Sequence, residues 1–140
     1  MATYNKFNLM TQNLVKAVMN FNSDTVKVAL SNTLPVATNA VFADITEISA
    51  GNGYSAGGTA SSISIANSSG VEKVTATDVV FTASGGTIGP FRYIVVYDDT
   101  PTSPADPLIA WFDYGSAITL NSGDTFTVDF DGTNGLFTVT

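Results

Sequence analysis

Two residue types that carry much of enzymatic and metal chemistry are missing from this chain of 140 residues, which has no cysteine and no histidine. Without cysteine there is no disulfide framework and no thiolate metal site, and both oxidising and reducing compartments remain open. Without histidine, the commonest general base and zinc ligand is gone. Charge is scarce too. Charged residues form 12% of the sequence against 44% hydrophobic ones, the reverse of the balance in a disordered chain. The basic residues Lys6, Lys16, Lys27, Lys73 and Arg92 are scattered, and the net charge is −7. Phosphate recognition needs clustered Lys and Arg, so no nucleic acid is expected as partner, and an anionic bilayer would repel the chain as well. Long apolar runs are absent. RYIVVY falls far short of the ~20 residues of a membrane span, and the start MATYNKFNLMTQ lacks the apolar core of a secretory signal. The expectation is a soluble protein without a membrane partner, retained in its cell or released by a route independent of such signals.

What remains favours strands. A chain of this length is expected to form a single domain, residues 1–140, burying roughly two thirds of its unfolded surface. Thr, Ser, Asn and Gly are abundant, beside β-branched residues and 11% aromatics, a mixture suited to strands and tight turns. One segment reads otherwise. From Tyr4 to Asn22, Phe7, Met10, Leu14, Val18 and Phe21 follow the spacing of one helical stripe, which predicts an amphipathic helix over 4–22 packed on a sheet, with Asn5 placed to cap it.

Beyond it the period changes. Val26, Val28 and Leu30 alternate with Thr25, Lys27 and Ala29, as in a half-buried strand. Pro35 opens an irregular connection, within which 40–48 is open between a helical turn and an extended arm. GNGYSAGG is a loop, since four glycines in eight residues carry too much backbone entropy for a regular element. SSISIAN and VEKVTATDVVFTA form a hairpin about Ser-Ser-Gly, and Asp78 marks a bulge or strand switch in the second. SGGTIGP is another turn. RYIVVY and LIAWFDY, apolar on both faces, are expected as central strands between layers. Residues 118–120, 124–130 and 136–140 complete about eight strands, with NSGD and DGTNG as turns. The fold class expected is mainly β, an antiparallel, jelly-roll-like β-sandwich with one N-terminal helix.

The most suggestive segment chemically is DDTPTSPADP, between the two apolar runs. Asp98, Asp99 and Asp106 offer hard oxygen ligands to calcium, but their spacing matches no specified calcium loop. Pro101, Pro104 and Pro107 fix φ and withhold donors, which suits a stiff connection, and aspartates beside such turns accept local backbone hydrogen bonds. DFDGTNG lacks the further ligands and glutamate of an EF-hand loop. Asp113 and Asp129 can be imagined as a hydrolytic carboxylate pair near Trp111, yet no spacing supports the separation that reaction needs. No serine is marked as a nucleophile, and GNGYSAGG has no lysine of a phosphate loop. No enzyme, metal, cofactor or small-molecule substrate is expected.

Several stretches taken together carry a resemblance: FNSDTVKVALSNTLPVAT near the N-terminus, GPFRYIVVYDDT in the centre, and the long segments around them. They resemble a family of small structural proteins encoded in the virion-gene regions of tailed bacteriophages, some similar to capsid cement or decoration proteins. The similarity spans nearly the whole chain and is weakest from Ser61 to Thr82. It implies a β-rich homo-oligomer on the capsid surface of the virion, made in the host cytoplasm and binding the major capsid protein lattice. No catalytic residue comes with it. The candidate partner-contact residues lie on the irregular segments: Leu34, Val36, Val41, Phe42 and Ile45 on the connection, Tyr54 in the glycine loop, and Asp98, Asp99, Pro101, Pro104 and Asp106 in the acidic loop. An arm packed on its own domain explains the first group equally well. The alternative is a tail- or fibre-associated carbohydrate binder, which would expose Trp111, Tyr54 or Tyr97 beside Asp and Asn acceptors.

Overall fold

RYIVVY has no polar face, so a strand built from it needs cover on both sides. In the computed structural model, which describes residues 2–140, it lies at the centre of an antiparallel sheet of five strands. Their spatial order is β1 (Thr3–Lys6), β8 (Leu108–Leu120), β7 (Ile88–Asp98), β2 (Val26–Ser31) and β3 (Thr59–Ser61). Two smaller antiparallel sheets accompany it. One joins β10 (Phe137–Val139), β5 (Val71–Ala76) and β4 (Ile63–Ser68), and the other pairs β6 (Val79–Thr82) with β9 (Thr125–Val128). The protein is mainly β. Among the described residues no helix is long and apolar enough to cross a membrane.

The large sheet buries both faces. On its front, Val26, Val28, Leu30, Ile94 and Val96 pack with Val74, Val79, Phe81 and Val128 from the smaller sheets. On its back, Ala29, Tyr93, Val95, Tyr97 and Trp111 cluster with Phe7 and Leu108, against which Ala37, Phe42 and Ile45 are partly buried. Each fully buried Val or Leu of β2 contributes about 1.5–3 kcal/mol. The alternation in DTVKVALS therefore identifies the front-facing residues, but β2 is not half-exposed, since Ala29 and Ser31 are buried as well. The glycine loop presses close to the same strand. At Gly58, where φ is +77°, a Cβ would overlap the Val28 carbonyl.

The long N-terminal helix is not formed. Only α1 (Met10–Val15) is helical, and Thr3–Lys6 runs as an edge strand against β8, from Thr3 opposite Asp113 to Lys6 opposite Ala110. Asn5 sits within that strand and caps nothing. Pairing β1 satisfies backbone groups along β8 that would otherwise be an open edge. The helix stops in a Schellman arrangement. Ala17 takes a left-handed φ of 55°, its N–H donates to Leu14 O, and the Val18 N–H donates to Asn13 O at 2.9 Å. The apolar stripe is accordingly divided: Phe7 enters the back cluster, Met10 and Phe21 enter the front with Leu14 partly buried against it, and Val18 is only half-buried.

Elsewhere the turns fall largely where expected. Ser69 and Gly70, both at positive φ, join β4 to β5. Asp78 separates β5 from β6, which belong to different sheets, and its Oδ1 accepts from the Phe130 N–H at 2.9 Å. Residues 118–120 are the end of β8 rather than a strand of their own, and Ile88-Gly89-Pro90 starts β7 instead of closing a turn. Register shifts around Phe91 mark the irregularity that lets these two long strands stay paired.

Candidate functional site

DDTPTSPADP connects β7 to β8 and is closed by its own backbone. The Asp98 N–H donates to Pro107 O at 3.0 Å and the Asp106 N–H to Pro101 O at 3.1 Å. At its base, the Asp99 N–H donates to Thr25 O and the Thr25 N–H to Thr100 Oγ1. The three aspartates meet different fates. Asp99 is partly exposed and pairs with Lys27 at 2.9 Å. Asp106 is half-buried, and burial raises its pKa. Asp98 is completely buried. Its Oδ1 accepts from the Thr100 N–H at 3.1 Å, and Asp24 is the neighbour of its carboxyl. Burial above all, then the Asp24 carboxyl and the Asp99 charge, pushes Asp98 up to about 7, against the opposing Thr100 N–H. Among the described residues, no three acidic side chains are placed to hold a metal ion.

The connection after β2 lies against this loop. The Phe42 N–H donates to Asp106 O, and the Leu108 N–H to Ala40 O, so residues 40–42 run beside 106–108. Val41, half-buried, bridges to Pro107. The Phe42 ring stacks on Tyr97 with centroids 4.1 Å apart and planes 10° apart, and Ile45 is partly buried against the same cluster. Asp44 Oδ2 accepts from the Ala40 and Val41 N–H groups, which hold its carboxyl below the usual range. The arm thus packs on its own sheet, and the 42–44 stretch is a single 3-10 turn. Two of its residues do not join in. Leu34 and Val36 are 60% and 55% exposed on either side of a buried Pro35.

The structure therefore joins residues 40–42 of the arm to 106–108 at the end of the acidic loop, while among the described residues no hydrogen bond or bridge links Leu34 or Val36 to Asp99, Pro101 or Pro104. Asp98 belongs to the interior. Tyr54 stands apart, buried in the front core. Its hydroxyl donates to Glu47 Oε1 at 2.7 Å and accepts from the Leu30 N–H at 3.0 Å. Trp111 and Tyr97 are buried too, so the three aromatics proposed for sugar stacking are all internal. Asp113 is engaged on its own strand pair. Arg92 grips it at both oxygens, 2.7 and 2.9 Å, and with the Gly115 N–H keeps its pKa low.

One surface feature escaped the sequence reading. Between β1–β8 and residues 126–130 opens a groove lined by Tyr4, Phe112, Tyr114, Phe126, Asp129 and Phe130. Tyr4 packs edge-on against Phe112 at 5.4 Å and Tyr114 against Phe126 at 5.7 Å, with both tyrosines part-exposed. Its residues come from three distant segments, so only the strand pairing assembles them. Set against known proteins, the chain matches no family model, no curated protein and no solved structure.

Proposed function

We propose that the chain is a non-enzymatic structural protein that works by adhesion, as a cement or decoration protein on the outer surface of a bacteriophage head. One observation carries the reading: Leu34 and Val36 are held outward on an arm whose neighbours Pro35, Ala37, Phe42 and Ile45 are docked inward. Aliphatic side chains fixed in advance lose little conformational entropy on binding, and such anchors carry most of the energy of an interface. The acidic loop, bonded to the same arm at residues 40–42, supplies a polar rim. Repetition over a lattice of major capsid subunits, with the chain itself a homo-oligomer, then multiplies modest contacts. The finer architecture is part of the same proposal, a jelly-roll-like sandwich serving as a rigid slab. No reactive group is required, and no cofactor or small-molecule substrate enters.

Mixing purified protein with naked expanded heads tests this. Saturable, stoichiometric binding is expected, and Leu34→Asp with Val36→Asp should weaken it about tenfold or more without altering the fold. Absence of binding at every salt concentration would remove the proposal. A second reading, a tail- or fibre-associated saccharide binder, is favoured by one observation, the exposed Tyr4 and Tyr114 beside Asp129 in the groove. Electron microscopy of labelled virions separates head from tail.

A further inference from the structure

Asp98 has no exposed surface, yet one of its two oxygens is left without a donor. Oδ1 accepts from the Thr100 N–H, whereas Oδ2 is buried and unpartnered among the ordinary hydrogen bonds of the protein. The carboxyl of Asp24 is the side chain that meets it: Val26 lies opposite Asp98 in the sheet, and Thr25, next to Asp24, bonds to both Asp99 and Thr100. Asp24 closes the turn that precedes β2: its N–H donates to Asn20 O, and its Oδ2 accepts from the Asn20 N–H at 2.7 Å. Two carboxylates cannot bond each other without a proton, and a buried carboxylate with an unmet oxygen is costly.

We propose that Asp24 and Asp98 share one proton, forming an acid-closed latch that ties the Asn20–Asp24 turn to the base of the acidic loop. In the closed form Asp98 donates its O–H to the Asp24 carboxylate, which satisfies the orphan oxygen. Loss of that proton to solvent leaves two like charges in contact, one of them sealed from water. The turn must then lift away so that Asp98 can hydrate. The bonds at risk are those that join the two segments, Thr25 N–H to Thr100 Oγ1 and Asp99 N–H to Thr25 O. Met19 and Phe21, which lead into and begin the turn and are buried in the front core, would loosen with it.

The other charges nearby do not replace the proton. Asp99 follows directly in the chain and adds a second negative charge, and Asp106 faces Asp99 from the far side of the loop. Lys27, from β2, is the basic group of the neighbourhood, and its ammonium is bound to Asp99. The environment of Asp98 is therefore acidic on the turn, the strand end and the loop alike. Its raised pKa, near neutrality, places the release of the latch within the range a protein meets. The inference stands independently of the adhesive role, since it concerns only how the loop is held.

Carboxyl-carbon NMR titration of the full chain tests it. Asp98 should titrate near pH 7, and the amide signals of residues 20–25 and 98–100 should shift with the same midpoint. Opening of the turn, read from exchange of the Asp24 and Asp99 amides after correction for intrinsic rate, should rise by up to about tenfold per pH unit between about pH 4 and that midpoint, and level off above it. Asp98→Asn places a permanent N–H donor against Asp24 and should abolish the response. Asp24→Asn should lower the Asp98 midpoint by removing the like charge. An Asp98 that titrates below about pH 5 in the wild-type chain overturns the latch, whatever the variants do. An unchanged midpoint in Asp24→Asn also overturns it, because burial alone would then set the titration. So does millimolar calcium that pulls the midpoint below about pH 5, which would make the pair a cation site.

Discussion

Single side chains here do work that their sequence context conceals. Tyr54 lies between glycines, a position that reads as an exposed loop tip, yet its ring fills the front core and its hydroxyl satisfies the Leu30 N–H. That N–H needs it because β3 pairs β2 only from Val26 to Val28, and the chain at Glu47 and Ile48 meets the edge beyond only at Ser31 and the Leu30 carbonyl. Burial, more than the nearby Glu47 charge, pushes the Tyr54 hydroxyl above the usual phenol range, so it stays protonated and keeps donating to Glu47. Tyr54→Phe retains the ring and removes both bonds. It should cost about 1–3 kcal/mol, the penalty for an orphaned buried donor, measured as a lower urea midpoint at unchanged slope. Ala17 presents the opposite case. It adopts the left-handed conformation that ends α1, where a Cβ costs roughly 1–2 kcal/mol. Ala17→Gly should stabilise the protein by up to about 1 kcal/mol once the greater freedom of glycine in the unfolded chain is deducted. A thermal midpoint that falls instead would mean that the Ala17 methyl makes packing contacts worth more than its strain.

Among the elements, the arm between β2 and β3 owes its order to a few contacts. Phe42 stacked on Tyr97 and the two backbone bonds beside Asp106 and Leu108 fix its middle. Phe42→Ala should destabilise the whole by less than the ~3–5 kcal/mol typical of a fully buried Phe, because the ring is only partly buried. Its local effect should be larger. Hydrogen exchange of residues 40–45 should accelerate while β2 and β7 remain protected, and uniform acceleration would show that the arm is part of the cooperative core. Such elements were unevenly legible. RYIVVY and LIAWFDY announced central strands because both of their faces are apolar, and the Ser69-Gly70 turn was plain from its residues. The stripe from Phe7 to Phe21 misled. Its spacing reports which residues are buried, and a chain that crosses a sheet edge to feed two cores can bury the same positions without a long helix. The helix stop was invisible because alanine stands where glycine would have signalled it. The arm and loop were both named as contact segments, but their side-by-side placement depends on β7–β8 pairing, a long-range fact that no local pattern encodes.

At the scale of the whole molecule, acid groups set opposite limits on stability. Asp113 is held below its ordinary value of 3.8 by Arg92, Asp44 by the Ala40 N–H and Asp131 by the Asn134 N–H. Their contribution is present above that ordinary value and is lost as pH falls through their lower folded values. Asp98 behaves in the reverse sense. With a folded pKa near 7 against 3.8, its contribution is complete below 3.8 and disappears as pH rises through about 7. Burial shifts Asp106 in the same direction. Net charge acts alongside, since the chain approaches its isoelectric point near 4.1 and self-repulsion declines on the acid side. These terms together place maximum stability in the mildly acidic range, above the loss of the low-pKa aspartates and below the ionisation of Asp98. Thermal midpoints recorded from about pH 3 to pH 9 should pass through a maximum between about 4 and 6, with Asp98→Asn flattening the alkaline limb alone. A wild-type curve that climbs steadily to pH 8 would mean that Asp98 is ionised in the folded protein at little cost. The acid limb should survive in that variant, because the aspartates that produce it accept their bonds from Arg92 and from backbone amides at other places in the fold.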